Sequence, residues 1–416
     1  MVVNRNLRVL SWSMYDFAST IFSMNVISLY FALWVIIDQK GQDIFYSIAL
    51  STSMLLAALT SPILGAISDH MGGRRMPFLI SSATLCTVFT IFIGIVNHLL
   101  SGLVFFVIAN YSFQVADMFY NALLPTVSNN TAIGRVSGYG TGLGYVGTIV
   151  GLLLVSPFAA KFGRHATFIP SALFYFIFSL PCFLLVKDKL RPMQCHQTIT
   201  FFDTVKSAFL AIKKTIIDIK QFKGLFIFFI AIFIAFNAIN TVFIFMSVYT
   251  KEIMDFSNAK ILQFYIVSSA FAIIGAFIAG FITDKLGPKK TLTAAFLLWS
   301  FAIFTAGITT NKIIFWMVGP CVGISLGTTW TSSRALAIAL SPAHMIGEVF
   351  GFYGFMGKTA AIFGPLVWGF VVLKFKFLGL LKYRLAVLSL LLFLILGLII
   401  LQGVPCKKKN TRSQEN

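Results

Sequence analysis

The sequence predicts an all-α integral membrane protein in which twelve transmembrane helices form two pseudo-symmetric six-helix bundles. Three observations support this prediction. Of the 416 residues, 58% are hydrophobic and 11% are charged, a composition that cannot supply the polar shell of a soluble protein of this size. The apolar residues are grouped in blocks long enough to cross a bilayer. A loop pattern of glycine, aspartate and basic residues occurs twice, once in each half of the chain.

Apolar blocks define the predicted helices. A helix needs about 20 residues to cross a hydrocarbon core about 30 Å thick, and we count twelve blocks of that length. They cover residues 9–37, 44–68, 78–98, 101–126, 138–160, 165–187, 223–250, 259–283, 291–309, 312–340, 348–373 and 381–404. The first block is longer than the apolar core of a signal peptide, so we expect it to stay in the membrane.

Basic residues determine the predicted orientation. The formal charge of +19 is spread in short runs between apolar blocks, which is typical of cytoplasmic membrane loops and argues against nucleic-acid binding. With both termini in the cytoplasm, twenty basic residues lie inside and ten outside, leaving aside Arg334 and Lys358, which lie within helices. Only the last hairpin is inconsistent with this orientation, because it places four basic residues outside: Lys374, Lys376, Lys382 and Arg384.

The hydrophilic stretch between the sixth and seventh blocks divides the chain. We expect a first six-helix bundle at 1–187, a cytoplasmic linker at 188–222, a second bundle at 223–404 and a basic cytoplasmic tail at 405–416. Within the linker, apolar residues recur at helical spacing and lysines occupy the other side. This pattern predicts an amphipathic helix that lies on the anionic inner leaflet.

The repeated loop joins the second and third helices of each half. The first copy consists of Gly65, Asp69, Gly72, Arg74 and Arg75, and the second of Gly280, Asp284, Gly287, Lys289 and Lys290. A similar echo links "YDFAST" at 15–20 with "FNAINT" at 236–241. Two echoes at nearly the same offset indicate an internal duplication of six helices, an architecture typical of secondary transporters.

With these loops the chain resembles the major facilitator superfamily, and within it the branch that contains the autophagy-related vacuole effluxer and its bacterial relatives. The residues that carry the resemblance to this branch are "SWSMYDFASTIF" (11–22), "MFYNALLP" (118–125), "GRVSGYGTGLGYVG" (134–147), "SSRALAIALSP" (332–342) and "GEVFGFYGFMGKTAAIFGPLVWG" (347–369). The resemblance implies a polytopic carrier that works by alternating access and exports amino acids. Three positions depart from the branch: Asn237 stands where relatives tend to carry aspartate, Trp330 where a glutamine is expected, and Asp117 is an addition.

Polar residues in four helices form the candidate substrate and coupling site. The resemblance implies that helices one, four, seven and ten line the pathway, and the densest polar content falls in these four. An ionised aspartate near the bilayer centre costs about 2.5–3.5 kcal/mol and therefore needs a polar partner. The candidates are Asp16, Asn110, Gln114, Asp117, Asn121, Asn237, Asn240, Thr241, Trp330 and Arg334.

Two of these predictions have structural alternatives. The spacing of four, three and four stacks Asn110, Gln114, Asp117 and Asn121 on one side of the fourth helix, where they line a wet cavity or bond to other helices. Arg334 and Trp330 are one turn apart and suit a carboxylate-bearing substrate, but Arg334 alone also fits a snorkelling anchor.

We predict that the two repeated loops are gating latches. Glycines allow helices to meet closely there, and each aspartate lies near helix ends, where dipoles and a neighbouring basic residue hold it in one state of the carrier. Arg74 or Arg75 is the expected partner of Asp69, and Lys289 and Lys290 are the expected partners of Asp284. A plain positive-inside turn is the alternative.

These patterns favour a secondary active transporter of a small polar solute, with amino acids as the expected class and proton coupling through Asp117 or Asp16. The alternatives are a multidrug or metabolite exporter with an aromatic cavity, which 46 phenylalanines suit, and a transporter-like receptor without flux. Five scattered cysteines and five scattered histidines predict no metal, cofactor or enzymatic site. We expect a monomer in a bacterial inner membrane.

Overall fold

The computed structural model describes residues 5–41, 43–129, 131–189 and 222–405. Within these ranges twelve helices are long and apolar enough to cross a membrane, and no β-strand is present. They are α1 (Arg5–Leu33), α2 (Asp43–His70), α3 (Met76–Ile95), α4 (Leu99–Ala122), α5 (Ile133–Phe162), α6 (Phe168–Leu185), α7 (Lys223–Met254), α8 (Asn258–Leu286), α9 (Pro288–Ile308), α10 (Lys312–Leu340), α11 (Ile346–Lys374) and α12 (Leu381–Gln402). The predicted all-helical membrane fold is confirmed. The amphipathic helix expected in the linker and residues 406–416 of the tail lie outside the described residues.

Helix ends differ from the predicted blocks where polar residues continue a helix. α5 begins at Ile133, five residues before the predicted block, and α7 continues to Met254. Counting apolar residues stops at the first charges, whereas helical hydrogen bonding continues beyond the hydrocarbon core. The break between α3 and α4 falls at Val96 and His98, whose backbones are extended.

Successive helices cross the bundle in opposite directions, so every second loop between helices lies at the same end. The start of α1, the α2–α3 and α8–α9 loops and the end of α12 share this end, which we name the terminal face. The opposite end is the far face. The repeated loops of the two halves therefore lie at the same face, as the duplication predicts.

The halves meet through α2 against α11 and α5 against α8. Glycines make both contacts possible, because a Cβ on Gly65 would collide with the backbone of Gly347, and one on Gly280 would lie 2.9 Å from the Gly134 carbonyl oxygen. Small residues allow such backbone approach in membrane bundles, where packing rather than the hydrophobic effect drives association. Both contacts lie toward the terminal face.

α1 changes character along its length. It is α-helical through Phe22 and π-helical at Ser23–Tyr30, and a second π-helical segment, Trp34–Asp38, follows directly after α1. π-helical turns disrupt the regular i→i−4 ladder and often occur near functional sites. Asp16 lies in the regular part, about two turns before the π-helical region begins at Ser23.

Candidate functional site

An ion pair joins the two halves inside the bundle. Nη1 of Arg334 on α10 donates to Oδ2 of Asp16 on α1 at 3.0 Å, and the two residues are only 8% and 6% exposed. Both charges have lost most of their hydration, so each depends on the other for compensation. Arg334 is therefore held by a carboxylate of the opposite half, which is incompatible with a simple snorkelling anchor.

Two further charges lie beside this pair. Asp117 on α4 accepts a hydrogen bond from Nδ2 of Asn121 at Oδ2, 3.0 Å away, and its carboxylate interacts electrostatically with Arg334, Asp16 and Lys358. Lys358 on α11 is 8% exposed and forms no ion pair within the described ranges. We name Asp16, Asp117, Arg334 and Lys358 the charged cluster; its formal charges cancel.

Aromatic rings form one wall of the charged cluster. The Arg334 guanidinium lies 5.8 Å from the ring centre of Tyr120, and Trp12 and Tyr15 stack on that ring at 4.5 and 4.8 Å. The Trp12 indole N–H donates to the Tyr120 carbonyl at 3.2 Å, which fixes the stack. The Tyr120 hydroxyl is buried and has no hydrogen-bond partner among the described residues. A planar cation on an aromatic face is a favourable arrangement in a desolvated site.

The α4 stripe serves two purposes. Asn110 donates to the Ser53 hydroxyl on α2 at 2.7 Å, so this end of the stripe joins helices. Asn121 and Asp117 belong to the charged cluster, while Gln114 is half-buried between the two ends. The spacing on α4 is as expected, and Asn110 forms the interhelical bond that one alternative predicts, whereas cavity lining by Asp117 stays a prediction.

Of the three α7 residues, two bond within α7 and one bonds to α11. Asn237 donates to the Phe233 carbonyl of its own helix at 2.7 Å, and Thr241 donates to the Asn237 carbonyl at 2.6 Å. Asn240 donates across to the Gly357 carbonyl on α11 at 3.3 Å. Trp330 on α10 is half-buried, with its ring 5.2 Å from that of Phe236.

The first repeated loop connects α2 to the start of α11. Oδ1 of Asp69 accepts from Nη2 of Arg75 at 3.0 Å, and Oδ2 accepts from the backbone N–H of Glu348 in the first turn of α11 at 3.0 Å. A carboxylate is favourable at a helix N-terminus, where backbone N–H groups lack partners. Gly72, with φ of +76°, allows the turn, and Arg74 is exposed. We name this set of contacts the α2–α11 latch.

The second repeated loop makes the equivalent contact with the first half. Asp284 accepts from the backbone N–H groups of Gly134 and Arg135 at 2.8 and 3.2 Å, at the start of α5, and from Nε of Arg135 at 2.7 Å. Gly287, with φ of +93°, forms the turn. We name these contacts the α8–α5 latch. Each half thus supplies one aspartate that caps a helix of the other half.

The expected partners of Asp284 were wrong. Lys289 donates to the carbonyls of Gln402 and Val404 at 2.8 and 2.6 Å, and Lys290 is exposed. The reason is loop length: α9 begins at Pro288 directly after Gly287, so both lysines belong to its first turn, and Lys289 reaches the end of α12 instead of Asp284. The longer loop of the first copy lets Arg75 fold back toward Asp69 before α3 starts.

Asp188 bonds to the backbone next to the α2–α11 latch. Its carboxylate accepts from the backbone N–H groups of Arg75 and Met76 at 3.0 and 3.1 Å, at the start of α3. Burial raises the pKa of Asp188, while these two N–H groups and the charge of Arg75 act in the opposite direction.

Within the described ranges, no three histidine, cysteine, aspartate or glutamate side chains group closely enough to hold a metal ion.

Comparison with known proteins identifies the family. The family model described as the Major Facilitator Superfamily matches residues 15–365. The chain belongs to the major facilitator superfamily. It is 26% identical to the MFS-type transporter YxiO of Bacillus subtilis over 97% of this chain and 96% of that protein, and 21% identical to autophagy-related protein 22 of Kluyveromyces lactis over 74% and 68%. The structure of the human organic anion transporter MFSD10 (TETRAN) superposes with a TM-score of 0.77 at 14% identity, covering 96% of this chain and all of that one.

Some residues of this facilitator's charged cluster were not among the predicted site residues. Lys358 is not among the predicted site residues, although a lysine inside an apolar block is itself a signal, because a charge in the membrane needs a polar partner. The sequence does not predict the aromatic wall either, because Tyr15 and Tyr120 lie in apolar blocks among many other aromatic residues. Each directly precedes a polar site residue in the chain, Asp16 and Asn121, and this adjacency is the signal that marks them.

Proposed function

We propose that this major facilitator is a secondary active transporter of small zwitterionic solutes, with amino acids as the substrate class. The observation that supports it is the charged cluster, in which Lys358 and Asp117 are near each other without forming an ion pair. A substrate carboxylate suits Lys358 and the nearby Arg334, and a substrate ammonium group suits Asp117. Neutral organic compounds would leave these charges without counterparts in a desolvated site.

Proton coupling is assigned to Asp117 in this proposal. Asp16 is already paired with the Arg334 guanidinium at 3.0 Å, so its carboxylate has a charged partner within the protein. Among the residues that the structure describes, the Asp117 carboxylate accepts a hydrogen bond only from the neutral amide of Asn121, so in this proposal its protonation depends on whether substrate occupies the site. Binding of an ammonium group beside Asp117 would release the proton, which links the two fluxes.

The two latches act as the gate in this mechanism. Both lie at the terminal face, and both cross between the halves, so they hold that face closed and leave access from the far face. The excess of basic residues at the terminal face favours its location in the cytoplasm. Opening of the terminal face requires both aspartates to leave the helix starts that they cap.

Uptake into proteoliposomes tests the substrate class. The full chain is reconstituted, and labelled amino acids are compared with their methyl esters, which lack the carboxylate, and with their N-acetyl forms, which lack the ammonium group. We expect at least about tenfold faster uptake of the zwitterions, since one charge-assisted hydrogen bond contributes about 1.5–3 kcal/mol. Lys358→Gln should abolish the preference over the esters, whereas Lys260→Gln at the far face should keep it.

An alternative function has its own support in the aromatic residues. Trp330 and Phe236 are in contact on the second-half side, and Tyr120 lies under Arg334 on the first-half side. A multidrug or metabolite exporter would use such rings to bind lipophilic cations. Equal transport of esters and zwitterions, together with transport of lipophilic cations, would favour this alternative. Saturable binding without flux would favour a receptor.

A further inference from the structure

A cavity of about 420 Å³ lies at the terminal face between α1, α5 and α8. Its volume falls within the range of small-ligand sites, and no member of the charged cluster lines it. The lining combines the arginines Arg5 and Arg135 with the apolar side chains of Leu10, Leu143 and Phe277. A cavity that is basic at one end and apolar along its wall matches an amphiphilic anion.

The basic end has unused hydrogen-bond donors. Arg5 is exposed and forms no ion pair with the acidic residues that the structure describes. Arg135 uses Nε for Asp284, and with a side chain 42% exposed it keeps its terminal nitrogens accessible. The Ser13 hydroxyl, which also lines the cavity, is fully buried and has no partner among the described residues. Phosphate oxygens match this set of donors.

The apolar wall identifies the source of the phosphate. Leu10 is 51% exposed, and Leu7, one turn earlier, is 45% exposed, so the entrance of the cavity is apolar. Leu143 and Phe277 continue this surface inward and are half-buried. A free phosphate ion gains nothing from these side chains, whereas an acyl chain covers them. Basic pockets between helices near a membrane surface are suited to anionic headgroups.

We propose that this cavity binds one anionic phospholipid, with its phosphate on Arg5 and Arg135 and an acyl chain along Leu10, Leu143 and Phe277. The lipid also acts on the gate. Phe277 belongs to α8 and the other lining residues belong to the first half, so the cavity is complete only while the halves meet at the terminal face. A ligand of one conformation stabilises that conformation, so the lipid holds the terminal face closed. The proposal does not depend on the identity of the transported solute.

Lipid retention measured by native mass spectrometry tests the site. The full chain is exchanged from detergent into nanodiscs of phosphatidylcholine with a minority of phosphatidylglycerol, and bound lipids are counted after release. We expect one retained phosphatidylglycerol on the wild-type protein and about fivefold weaker retention in Arg5→Gln, the effect of removing one basic residue near an anionic headgroup. Lys285→Gln removes the same charge from the terminal face outside the cavity and should match the wild type.

The second measurement separates lipid from free phosphate and connects binding to the gate. Thiol labelling of a cysteine at Asn129 should become slower with phosphatidylglycerol than with phosphatidylcholine alone, and this protection should be lost in Arg5→Gln. Inorganic phosphate should neither displace the lipid nor protect the thiol. Equal loss of retention in Arg5→Gln and Lys285→Gln, displacement by inorganic phosphate, or protection that survives Arg5→Gln would each overturn the proposal.

Discussion

Asp16 and Arg334 form an ion pair between α1 and α10 while both residues are more than nine-tenths buried. Removing one partner of such a pair leaves an uncompensated charge and costs about 3–5 kcal/mol, whereas replacing both is far less costly. We therefore expect Arg334→Ala and Asp16→Ala each to lower the free energy of unfolding by about that amount. The double variant should be more stable than either single one.

Thermal unfolding of the detergent-solubilised variants measures this coupling. Arg384→Ala is a suitable control, because among the described residues Arg384 donates only to the backbone carbonyls of Gly307 and Thr309 at the far face. If the losses of the two single variants add in the double variant, the ion pair has no energetic role.

Asp117 gives a second prediction at the residue scale. Asp117→Asn keeps the shape and the contact with Asn121 but cannot bind or release a proton. We expect the response of uptake to a pH gradient to fall at least about tenfold, while exchange of labelled for unlabelled solute without a gradient continues. Gln114→Ala removes a neutral polar group from the same face of α4, and uptake in this variant should still respond to the gradient. Gradient-driven uptake that persists in Asp117→Asn would assign coupling elsewhere.

The sequence predicts those features of the site that depend on residues close together in the chain. The period of the helix places Asn110, Asp117 and Asn121 on one side of α4, because that geometry is fixed within the helix. Whether each faces a partner helix or the charged cluster depends on side chains far away in the chain. Ser53 holds Asn110 and Arg334 holds Asp16, and neither partner is signalled by local spacing.

The helix starts of α5 and α11 are the elements on which the gate depends. Gly347, in the first turn of α11, lies so close to the first latch that an added Cβ would come within 2.8 and 2.9 Å of the two Asp69 carboxylate oxygens. We expect Gly347→Ala to displace Asp69 and increase labelling of a cysteine at Met71 at the terminal face. Gly369→Ala on the same helix meets nothing within 4 Å and should leave labelling unchanged. Equal labelling in both variants would mean that this contact does not hold the face closed.

The two latches differ in the exposure of their arginines. The Arg75 side chain is 6% exposed and that of Arg135 is 42% exposed. Exposed ion pairs contribute about 0–1 kcal/mol, so Arg135→Ala should change the open-to-closed ratio by at most about fivefold. Arg75→Ala removes the partner of a buried carboxylate and should have a larger effect. Thiol labelling of cysteines introduced at Met71 and Asn129 measures the opening of the terminal face in the two variants. Equal labelling in Arg75→Ala and Arg135→Ala would show that the burial of the arginine does not determine the strength of a latch.

The loop repeat predicted the place of both aspartates and the partner Arg75 of Asp69, but not the helix starts that the two aspartates cap. Spacing within each copy fixes where Asp69 and Asp284 lie relative to their turns. The capped helix start comes from the opposite half in both cases, which is a property of the packed bundle. The lysines after Asp284 occupy positions similar to those of the arginines after Asp69. Because the second loop is shorter, these lysines belong to the first turn of α9.

At the scale of the whole molecule, the fold is a duplicated bundle around a charged cluster, with two equivalent aspartate contacts between its halves at the terminal face. Composition, block length and repetition predicted this architecture, since all three are properties of the chain as a whole. The relative arrangement of the halves in one conformation required the structure. A charge-assisted contact contributes about 1.5–3 kcal/mol, and about 5.5 kcal/mol is needed to convert a 1:99 equilibrium to 99:1. Loss of one latch therefore shifts the equilibrium, and loss of both can invert it.

The most direct test measures distances at both ends of the bundle between a spin label on α5 or just before it and a spin label on α8. One pair replaces Lys161 and Lys260 at the far face, and the other replaces Asn129 and Lys285 at the terminal face; all four residues are exposed. In Asp69→Asn/Asp284→Asn we predict a longer terminal-face distance together with a shorter far-face distance. Distances that change in the same direction at both faces, or at neither face, would contradict alternating access around the charged cluster.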